Sequence, residues 1–423
     1  MHPSLSFEQA PPISVPFRFL LTAPWFGVAA GLLLFLDGGD MFGSRWLPAS
    51  LAVTHLLVAG FMLQAMLGAL LQFVPVAAGG NIWRPRLVAG IVHPVLIVAV
   101  ILLVAALLFS LPTWFVAAAH AFLLGIGLFV VAVGTALWRT SAQSPSILAL
   151  RLSLLGLAVT LGLGATLALG RAYGYPLDFL LITDIHAAWG LGGWGLMLLM
   201  GVSYLVVPMF QLTPAYPALL ARGLPWGLLV LLLLWSSPWG NGIATLLAGL
   251  AVGAVYATTT LWLQHRRRRK VSDTTLLFFR LSMASLLVLA ASVLMFVLFP
   301  ELGKETRAAI WVGMLALVGV FVSAINGMLY KIVPFLCWLH LQRLCGAGQL
   351  PPTMNQMIPA AAMRYQWFVH LAACGCLLGA VWQEFLARPA GLLFAASCAW
   401  LGINLINAAR TYRRFKDHIR ANV

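Results

Sequence analysis

A spacing of two glycines and a proline occurs three times in this chain and nowhere else in it. The pattern is G-x7-G-x6-P, and its copies are Gly60-Gly68-Pro75, Gly193-Gly201-Pro208 and Gly319-Gly327-Pro334. The flanking residues also agree, reading GALLQFVP, GVSYLVVP and GMLYKIVP. The copies begin 133 and 126 residues apart. Because self-similarity at a long period indicates a repeated structural unit, the chain is predicted to use one unit three times.

The composition predicts the class of fold in which this unit is used. Of the 423 residues, 62% are hydrophobic and 8% are charged. A soluble core does not need that much apolar surface, so the sequence predicts an all-α polytopic membrane protein. The N-terminal stretch lacks the basic segment, short apolar run and cleavage site of a signal peptide, so none is expected.

Twelve apolar runs are long enough to span a bilayer. They are predicted over residues 18–36, 47–75, 87–109, 113–138, 147–170, 181–208, 223–237, 240–264, 274–299, 308–336, 363–386 and 389–409. The seventh run is cut short by Ser236-Ser237-Pro238 and can also be interpreted as merged with the eighth.

The sequence predicts a single membrane domain, residues 1–423, that consists of three units of four helices. The units are predicted over about 18–138, 147–264 and 274–412, and the motif helix is the second helix of each. Outside the spans we expect an N-terminal tail (1–17), a loop (337–362) and a basic C-terminal tail (410–423) on the cytoplasmic side.

The distribution of charge predicts the orientation in the membrane. With the N-terminus inside, 20 of the 25 basic residues fall on the cytoplasmic side. The five that remain outside are Arg45, Arg171, Lys304, Arg307 and Arg388. This bias predicts cytoplasmic N- and C-termini and a multi-pass protein of the bacterial cytoplasmic (inner) membrane.

The net charge of +15 does not indicate a nucleic-acid partner, because the densest basic run, His265 to Lys270, directly follows a span. Basic residues there set topology and meet lipid headgroups. Of the five cysteines, Cys337 and Cys345 are predicted on the cytoplasmic side and the others within spans, so a disulfide scaffold is not expected. The chain also lacks nucleophile and phosphate-loop motifs, so no reaction is assigned.

The motif residues are predicted to share one helix face. At about 100° per residue, the second glycine lies roughly 80° and the proline roughly 60° from the first glycine. Glycine there allows close approach of a neighbouring helix or of a flat ligand such as a porphyrin. The proline is expected to end or kink the helix near the cytoplasmic boundary.

Six histidines are predicted in or next to spans, where an imidazole must be solvated, paired or ligated. Three form an outer set, namely His55, His186 and His120; three form an inner set, namely His93, His370 and His340. His2, His265 and His418 fall in tails or the basic loop and are taken as solvated.

Each of these histidines has a structural interpretation, but several imidazoles on different helices together suit a b-type haem. Imidazole also suits copper, with His55 and His186 as the first metal ligands to consider. Met314 occupies in span 10 the register of His55 in span 2, so its thioether is a further ligand candidate. The spacing of His370 and Cys374 could hold a metal, but with Gly375 and Cys376 beside them close packing is the preferred interpretation.

Twelve helices in three groups of four, with a histidine near the outer end of helix 2, resemble subunit I of the haem-copper oxidases. The string from His55 through Gly60 and Gly68 to Pro75 is similar to the second helix of divergent oxidase-subunit-I-like and NnrS-type membrane proteins. The resemblance covers nearly the whole chain in outline. It implies that His55 binds a low-spin haem and, more loosely, that His186 corresponds to a copper ligand.

The oxidase pattern is incomplete here. Span 10, Ala308 to Phe335, contains no histidine where the oxidases carry a His-x-His pair, and no His-His pair occurs near helix 7. Oxygen reduction to water is therefore not expected. The NnrS-type resemblance implies a haem- and copper-containing protein associated with nitric oxide stress.

Three functions follow from these observations. The first is a haem b protein that transfers electrons to a redox partner or binds a diatomic gas such as nitric oxide. The second is a cofactor-free transporter, and the third is a structural subunit of a respiratory membrane complex. His55 is expected to pair with His186 or His120, and a homo-oligomer is compatible with all three functions.

Overall fold

A computed structural model describes residues 7–421, apart from 239, 241, 269–272 and 346–349. His2, Arg269 and Lys270, assigned above to a tail and a basic loop, lie outside the described residues. Within them every regular element is helical. The twelve long helices are α1 Ser14–Asp37, α2 Pro48–Ala78, α3 Pro85–Phe109, α4 Pro112–Arg139, α5 Pro145–Tyr173, α6 Phe179–Gln211, α7 Ala218–Trp235, α8 Ile243–His265, α9 Thr274–Leu298, α10 Thr306–Gln342, α11 Ala360–Ala380 and α12 Ala387–Ala421.

Among the described residues, eleven helices are long and apolar enough to cross a membrane. The prediction of an all-α polytopic membrane protein is therefore confirmed. The predicted span 363–386 coincides with α11, which carries the polar residues Arg364, Gln366 and His370. Among the described residues, this helix is not one of those apolar enough to cross a membrane. The exact count of twelve spans and the division into three units stay predictions. The proposed merger of the seventh and eighth runs is wrong, because α7 and α8 are separate helices.

Local sequence explains several helix ends. Proline suits the first helical position because its missing N–H would have no partner there. Four long helices begin in this way, at Pro48, Pro85, Pro112 and Pro145. The hydroxyl of Ser144 caps α5 by accepting a hydrogen bond from the Ile147 amide at 3.2 Å. The same helix ends at Gly174, where a φ of 68° favours glycine.

Packing divides the chain into two compact units. The first is made chiefly of Leu71–Val271 and Met283–Ala316. In it, α3 packs on α4, α4 on α5, and α5 on both α6 and α7. The second is made of Pro11–Leu70, Ser272–Ser282 and Leu317–Val423. In it, α12 packs against α1, α10 and α11.

In each copy of the motif, the second glycine packs closely on the first helix of the predicted repeat. The distances from a Cβ built on the glycine to the nearest carbonyl oxygen are 3.1 Å for Gly68 and Pro16, 3.3 Å for Gly201 and Ser146, and 3.0 Å for Gly327 and Thr275. The side chain three positions further along that helix comes to 2.8 or 2.9 Å in each case (Phe19, Ala149 and Phe278). Any larger residue would push the two helices apart.

The first glycine continues this packing seven residues further along the partner helix in two copies. A Cβ on Gly60 would lie 2.5 Å from the Phe26 ring, and Gly193 lies against Gly156. The face that carries the glycines is therefore occupied by protein in these copies. It serves as a helix-packing face, and the porphyrin alternative raised above has no space there.

The three motif helices also share a wide π-helical turn that the sequence did not predict. It spans Leu56–Met62, Trp189–Leu196 and Leu315–Val322. Each turn begins four residues before the first glycine of its copy. Such turns are rare and often lie at functional sites.

The predicted ends of two segments need correction. Helix α10 runs to Gln342, so residues 337–342 belong to the helix rather than to the predicted loop 337–362. The buried side chains of Cys337, Leu339 and Leu341 continue its packing, which explains the extension. The described part of the predicted tail 410–423 likewise continues α12. The motif prolines lie inside their helices, and α10 continues eight residues beyond Pro334.

An ion pair ties the start of α9 to the third motif helix. Asp273 accepts hydrogen bonds from the amide of Thr275 at 3.0 Å, from its hydroxyl at 2.8 Å, and from Lys331 Nζ at 2.7 Å. Burial alone would raise the pKa of Asp273, but the hydrogen bond and charge of Lys331, with the bonds from Thr275, hold that pKa below its ordinary value.

Lys331→Met should therefore lower the free energy of unfolding by about 1–2 kcal/mol, because it leaves a partly buried carboxylate without its cation. Thermal unfolding in detergent measures this. Lys304→Met, which removes the exposed pair with Glu301, is the control and should change nothing measurable. Since the folded pKa of Asp273 is lowered, the difference between wild type and Lys331→Met should be constant above about pH 5 and shrink below about pH 4. An equal loss in both variants would contradict this account.

Candidate functional site

The residue directly before the π-helical turn differs among the copies. It is His55 in α2 and Met314 in α10, each the last residue of the preceding α-helical segment. The second copy has Ala188 there, and its histidine, His186, lies two residues earlier. The three motif helices are thus alike in packing and different in the side chains at this turn.

The three histidines of the outer set hold one ring nitrogen in the same way. Nδ1 faces a backbone carbonyl oxygen in each: Leu51 at 2.7 Å for His55, Val116 at 2.8 Å for His120, and Thr160 at 3.1 Å for His186. Because a carbonyl oxygen only accepts, Nδ1 must carry the proton. In the neutral ring this leaves the lone pair on Nε2, the form in which imidazole binds a metal.

The surroundings of the three imidazole rings differ. His55 is half-buried, and its Nε2 makes no hydrogen bond to a described residue. His186 lies against Gly164 of α5, where a Cβ would come to 3.0 Å from the imidazole Cε1. His120 is exposed on α4.

The predicted histidines are divided between the two compact units. His55, His340 and His370 lie in the second compact unit, whereas His93, His120 and His186 lie in the first. His93 and His120 are on neighbouring helices, at depths that differ by about 12 Å. No group of three or more His, Cys, Asp or Glu in the described part of the chain could hold a metal ion.

His340 is not in a loop, as the sequence suggested, but in the last turns of α10. It is half-buried, and its Nε2 is enclosed without a hydrogen-bond partner among the described residues.

His370 is the centre of a buried polar cluster in the second compact unit. It lies at the middle of α11, ten residues from each end, which is deeper than the sequence suggested, and its side chain is 0% exposed. Its Nε2 lies 2.9 Å from the Ser323 hydroxyl and 3.5 Å from Cys374 Sγ. Its Nδ1 lies 3.4 Å from both Asn326 Nδ2 and Ser397 Oγ.

The cluster extends to neighbouring polar groups. Gln366 Nε2 donates to the Ser397 hydroxyl at 3.0 Å, and the Ser323 hydroxyl lies 3.0 Å from the carbonyl oxygen of Val318, in the π-helical turn. The amide oxygens of Asn326 and Gln366 are buried and have no hydrogen-bond partner among the described residues. Polar side chains surround both ring nitrogens, so His370 is enclosed in a way that His55 is not.

Sequence reasoning singled out His370 and Cys374 but missed their partners. Ser323 and Asn326 come from α10, and Ser397 comes from α12. A usable signal was present, because polar side chains within apolar spans are rare and mark paired or functional positions. Serine and asparagine are not typical ligands of haem or copper, so a pattern of metal ligands does not include them.

A second polar cluster lies in the first compact unit. The hydroxyls of Ser203 and Tyr256 are 2.8 Å apart, as are those of Tyr216 and Thr260. Tyr216 lies between α6 and α7, and burial holds its pKa well above the ordinary value. Tyr204, stacked edge-on against Tyr216, occupies the motif position that Tyr330 occupies in the third copy. The Ser203–Tyr256 hydrogen bond holds the motif helix to α8.

No protein-family model and no curated protein matches this chain. The function proposed below therefore depends on the chain's own residues and on the family resemblance of its motifs.

Proposed function

We propose that the protein is a b-type haem protein of the membrane, in which His55 is an axial ligand. The observation that carries the proposal is the hydrogen bond from His55 Nδ1 to the Leu51 carbonyl oxygen at 2.7 Å. This bond fixes the ring on its own helix and leaves the Nε2 lone pair directed away from it. The half-buried position before a π-helical turn gives the imidazole an apolar surrounding, which suits a haem face.

The remaining residues fit such a group to different degrees. His120 and His186 have the same Nδ1 bond to a carbonyl oxygen and are the candidates for a second ligand or a copper ligand. Met314 matches His55 in register but offers only a thioether. His93 and His340 stay candidates from the inner set, whereas the polar groups around His370 leave neither ring nitrogen open.

Bound haem would supply one-electron chemistry or a site for a diatomic gas such as nitric oxide. In this proposal the chain holds the haem in the bilayer, orients it through His55 and excludes water with its apolar helices. The absence of histidine in Ala308 to Phe335 argues against oxygen reduction. The basic-residue bias supports a bacterial inner-membrane location with both termini in the cytoplasm.

The visible spectrum of the purified full-length protein from haem-replete cells tests the proposal. We expect a Soret band that co-purifies with the chain, and a rise in the unfolding temperature relative to protein from haem-depleted cells, because a ligand bound only to the folded state stabilises it. Folded protein from haem-replete cells with no Soret band would refute the proposal.

A further inference from the structure

A basic and aromatic surface lies at one end of the first compact unit. It consists of Trp83, Arg84, Arg86, Trp138 and Arg139, and we refer to it as the Arg-Trp surface. The first three residues lead into α3 and begin it, and the other two are the last residues of α4. All five side chains are exposed, with Trp83 at 61% and Trp138 at 58%. Exposed tryptophans at the ends of spanning helices are typical of the membrane–water interface.

The packing of α3 on α4 brings the two parts of this surface together. A Cβ on Gly125 of α4 would lie 3.1 Å from Leu96 of α3. Because a short turn joins the two helices, they run in opposite directions. Arg139, fourteen residues after Gly125, is therefore level with the segment just before α3, about 20 Å from that contact. The same segment packs on the end of α4, since a Cβ on Gly80 would lie 2.8 Å from the Ala136 carbonyl oxygen.

Arg151 of α5 occupies the carbonyl oxygens at the end of α4. Its Nη2 donates to Leu137 at 2.8 Å and to Thr140 at 3.2 Å, and its Nε donates to Leu137 at 3.1 Å. The Thr140 hydroxyl in turn donates to the carbonyl oxygen of Ala78 at the end of α2. A helix C-terminus otherwise carries partial negative charge, which repels anions. Arg151 offsets that charge, so the Arg-Trp surface stays positive.

The arginines of the Arg-Trp surface are not neutralised by carboxylates. No Asp or Glu occurs in the sequence between Asp40 and Asp178. Glu8 belongs to the same compact unit, but among the described residues it forms no ion pair with these arginines. The Arg84 guanidinium instead lies over the Trp83 ring, 5.1 Å from its centroid. A guanidinium stacked in this way keeps the N–H groups along its edge available for an anion.

We propose that the Arg-Trp surface binds the headgroup of an anionic phospholipid. Arg84, Arg86 and Arg139 hydrogen-bond its phosphate, because the N–H groups of a guanidinium match the spacing of phosphate oxygens. Trp83 and Trp138 pack against the glycerol and the first methylene groups of the acyl chains, at the depth that indole rings favour. Their exposure at this depth favours a lipid over a soluble anion. The site does not depend on bound haem.

Native mass spectrometry of the full-length protein, released from detergent micelles that contain phosphatidylglycerol or phosphatidylcholine, tests this proposal. We expect phosphatidylglycerol to bind about tenfold or more tightly than phosphatidylcholine, which carries a phosphate but no net charge. Added salt before release should narrow this preference, because salt screens exposed charges. Equal binding of the two lipids would overturn the proposal. Displacement of phosphatidylglycerol by millimolar inorganic phosphate would also overturn it, since the site would then take a free anion.

A variant without the three guanidinium groups should lose the preference for phosphatidylglycerol. It carries the substitutions Arg84→Gln, Arg86→Gln and Arg139→Gln. The matched control removes the same charge from exposed arginines elsewhere in the chain, with Arg222→Gln, Arg413→Gln and Arg414→Gln.

The control should keep the preference of the wild type. If the triple variant does not fold, Arg139→Gln alone should weaken phosphatidylglycerol binding about threefold or more, and Arg222→Gln alone should not. An equal loss in the surface variant and its control would show that net charge, rather than the Arg-Trp surface, attracts the lipid, and would contradict the assignment.

Discussion

Gly156→Ala should destabilise the protein by about 2–3 kcal/mol, although it adds a single methyl group. A Cβ on Gly156 would lie 2.3 Å from the carbonyl carbon and oxygen of Gly193. Those atoms belong to the backbone of α6, so they cannot rotate away as a flexible side chain could. The two helices would have to separate, and the contacts on either side of the glycine pair would be lost. The thermal unfolding temperature and the elution volume in size-exclusion chromatography, both of the detergent-solubilised protein, measure the effect.

Gly162→Ala is the matched control, since it lies on the same helix and a Cβ there meets nothing within 4 Å. This variant should be as stable as wild type or slightly more stable, because alanine favours helix more than glycine does. Equal stability of the two variants would show that α5 and α6 do not approach as closely as described. The comparison tests the repeated glycine contact, which holds the motif helices to their neighbours.

His55→Ala should reduce the haem retained through purification by on the order of tenfold or more and remove the low-spin spectrum. The reason is the loss of an axial ligand whose orientation is fixed by Leu51. Adding free imidazole to the variant should restore the low-spin spectrum in part, because a small ligand can enter the space left by the side chain. A role for His55 in packing alone would give no such rescue.

His265→Ala provides the control for this experiment. His265 is exposed at the end of α8, so its replacement should leave the spectrum unchanged. His186→Ala and His120→Ala then distinguish the candidates for the second ligand. Loss of the spectrum in one of them and retention in the other would identify the partner of His55.

The helices themselves were largely predictable from the sequence. Apolar runs of spanning length gave most boundaries to within a few residues, because a spanning helix needs a continuous apolar stretch. The end of α10 was not predicted correctly, because Leu339 and Leu341 follow Pro334, which was expected to end or kink the helix. Only their burial shows that the helix continues.

The π-helical turns could not be predicted. Around Gly60, Gly193 and Gly319 nearly every residue is apolar, so an extra residue in the turn leaves no trace in the hydrophobic pattern. The glycine repeat is visible in the sequence because glycine is chemically distinct, and the spacing of the glycines predicts that they share one helix face. That this face is filled by another helix follows from contacts such as Gly201 with Ala149, which no single sequence reveals.

The candidate sites also depend on contacts that the sequence alone does not reveal. His55 and His370 are both histidines in apolar surroundings and look alike in the sequence. They differ because His55 bonds its own helix, whereas Ser323, Asn326 and Ser397 surround His370 from two other helices. Partners brought together from distant parts of the chain decide which imidazole is open to a metal and which is enclosed.

The haem content of the wild-type protein and of His55→Ala, measured side by side as the pyridine haemochrome and divided by the protein concentration, tests the central proposal most directly. We expect about one or more haem b per wild-type chain and a large loss in His55→Ala, with both proteins folded. A wild-type chain without haem, or equal haem in the two proteins, would contradict the assignment of His55 as an axial ligand.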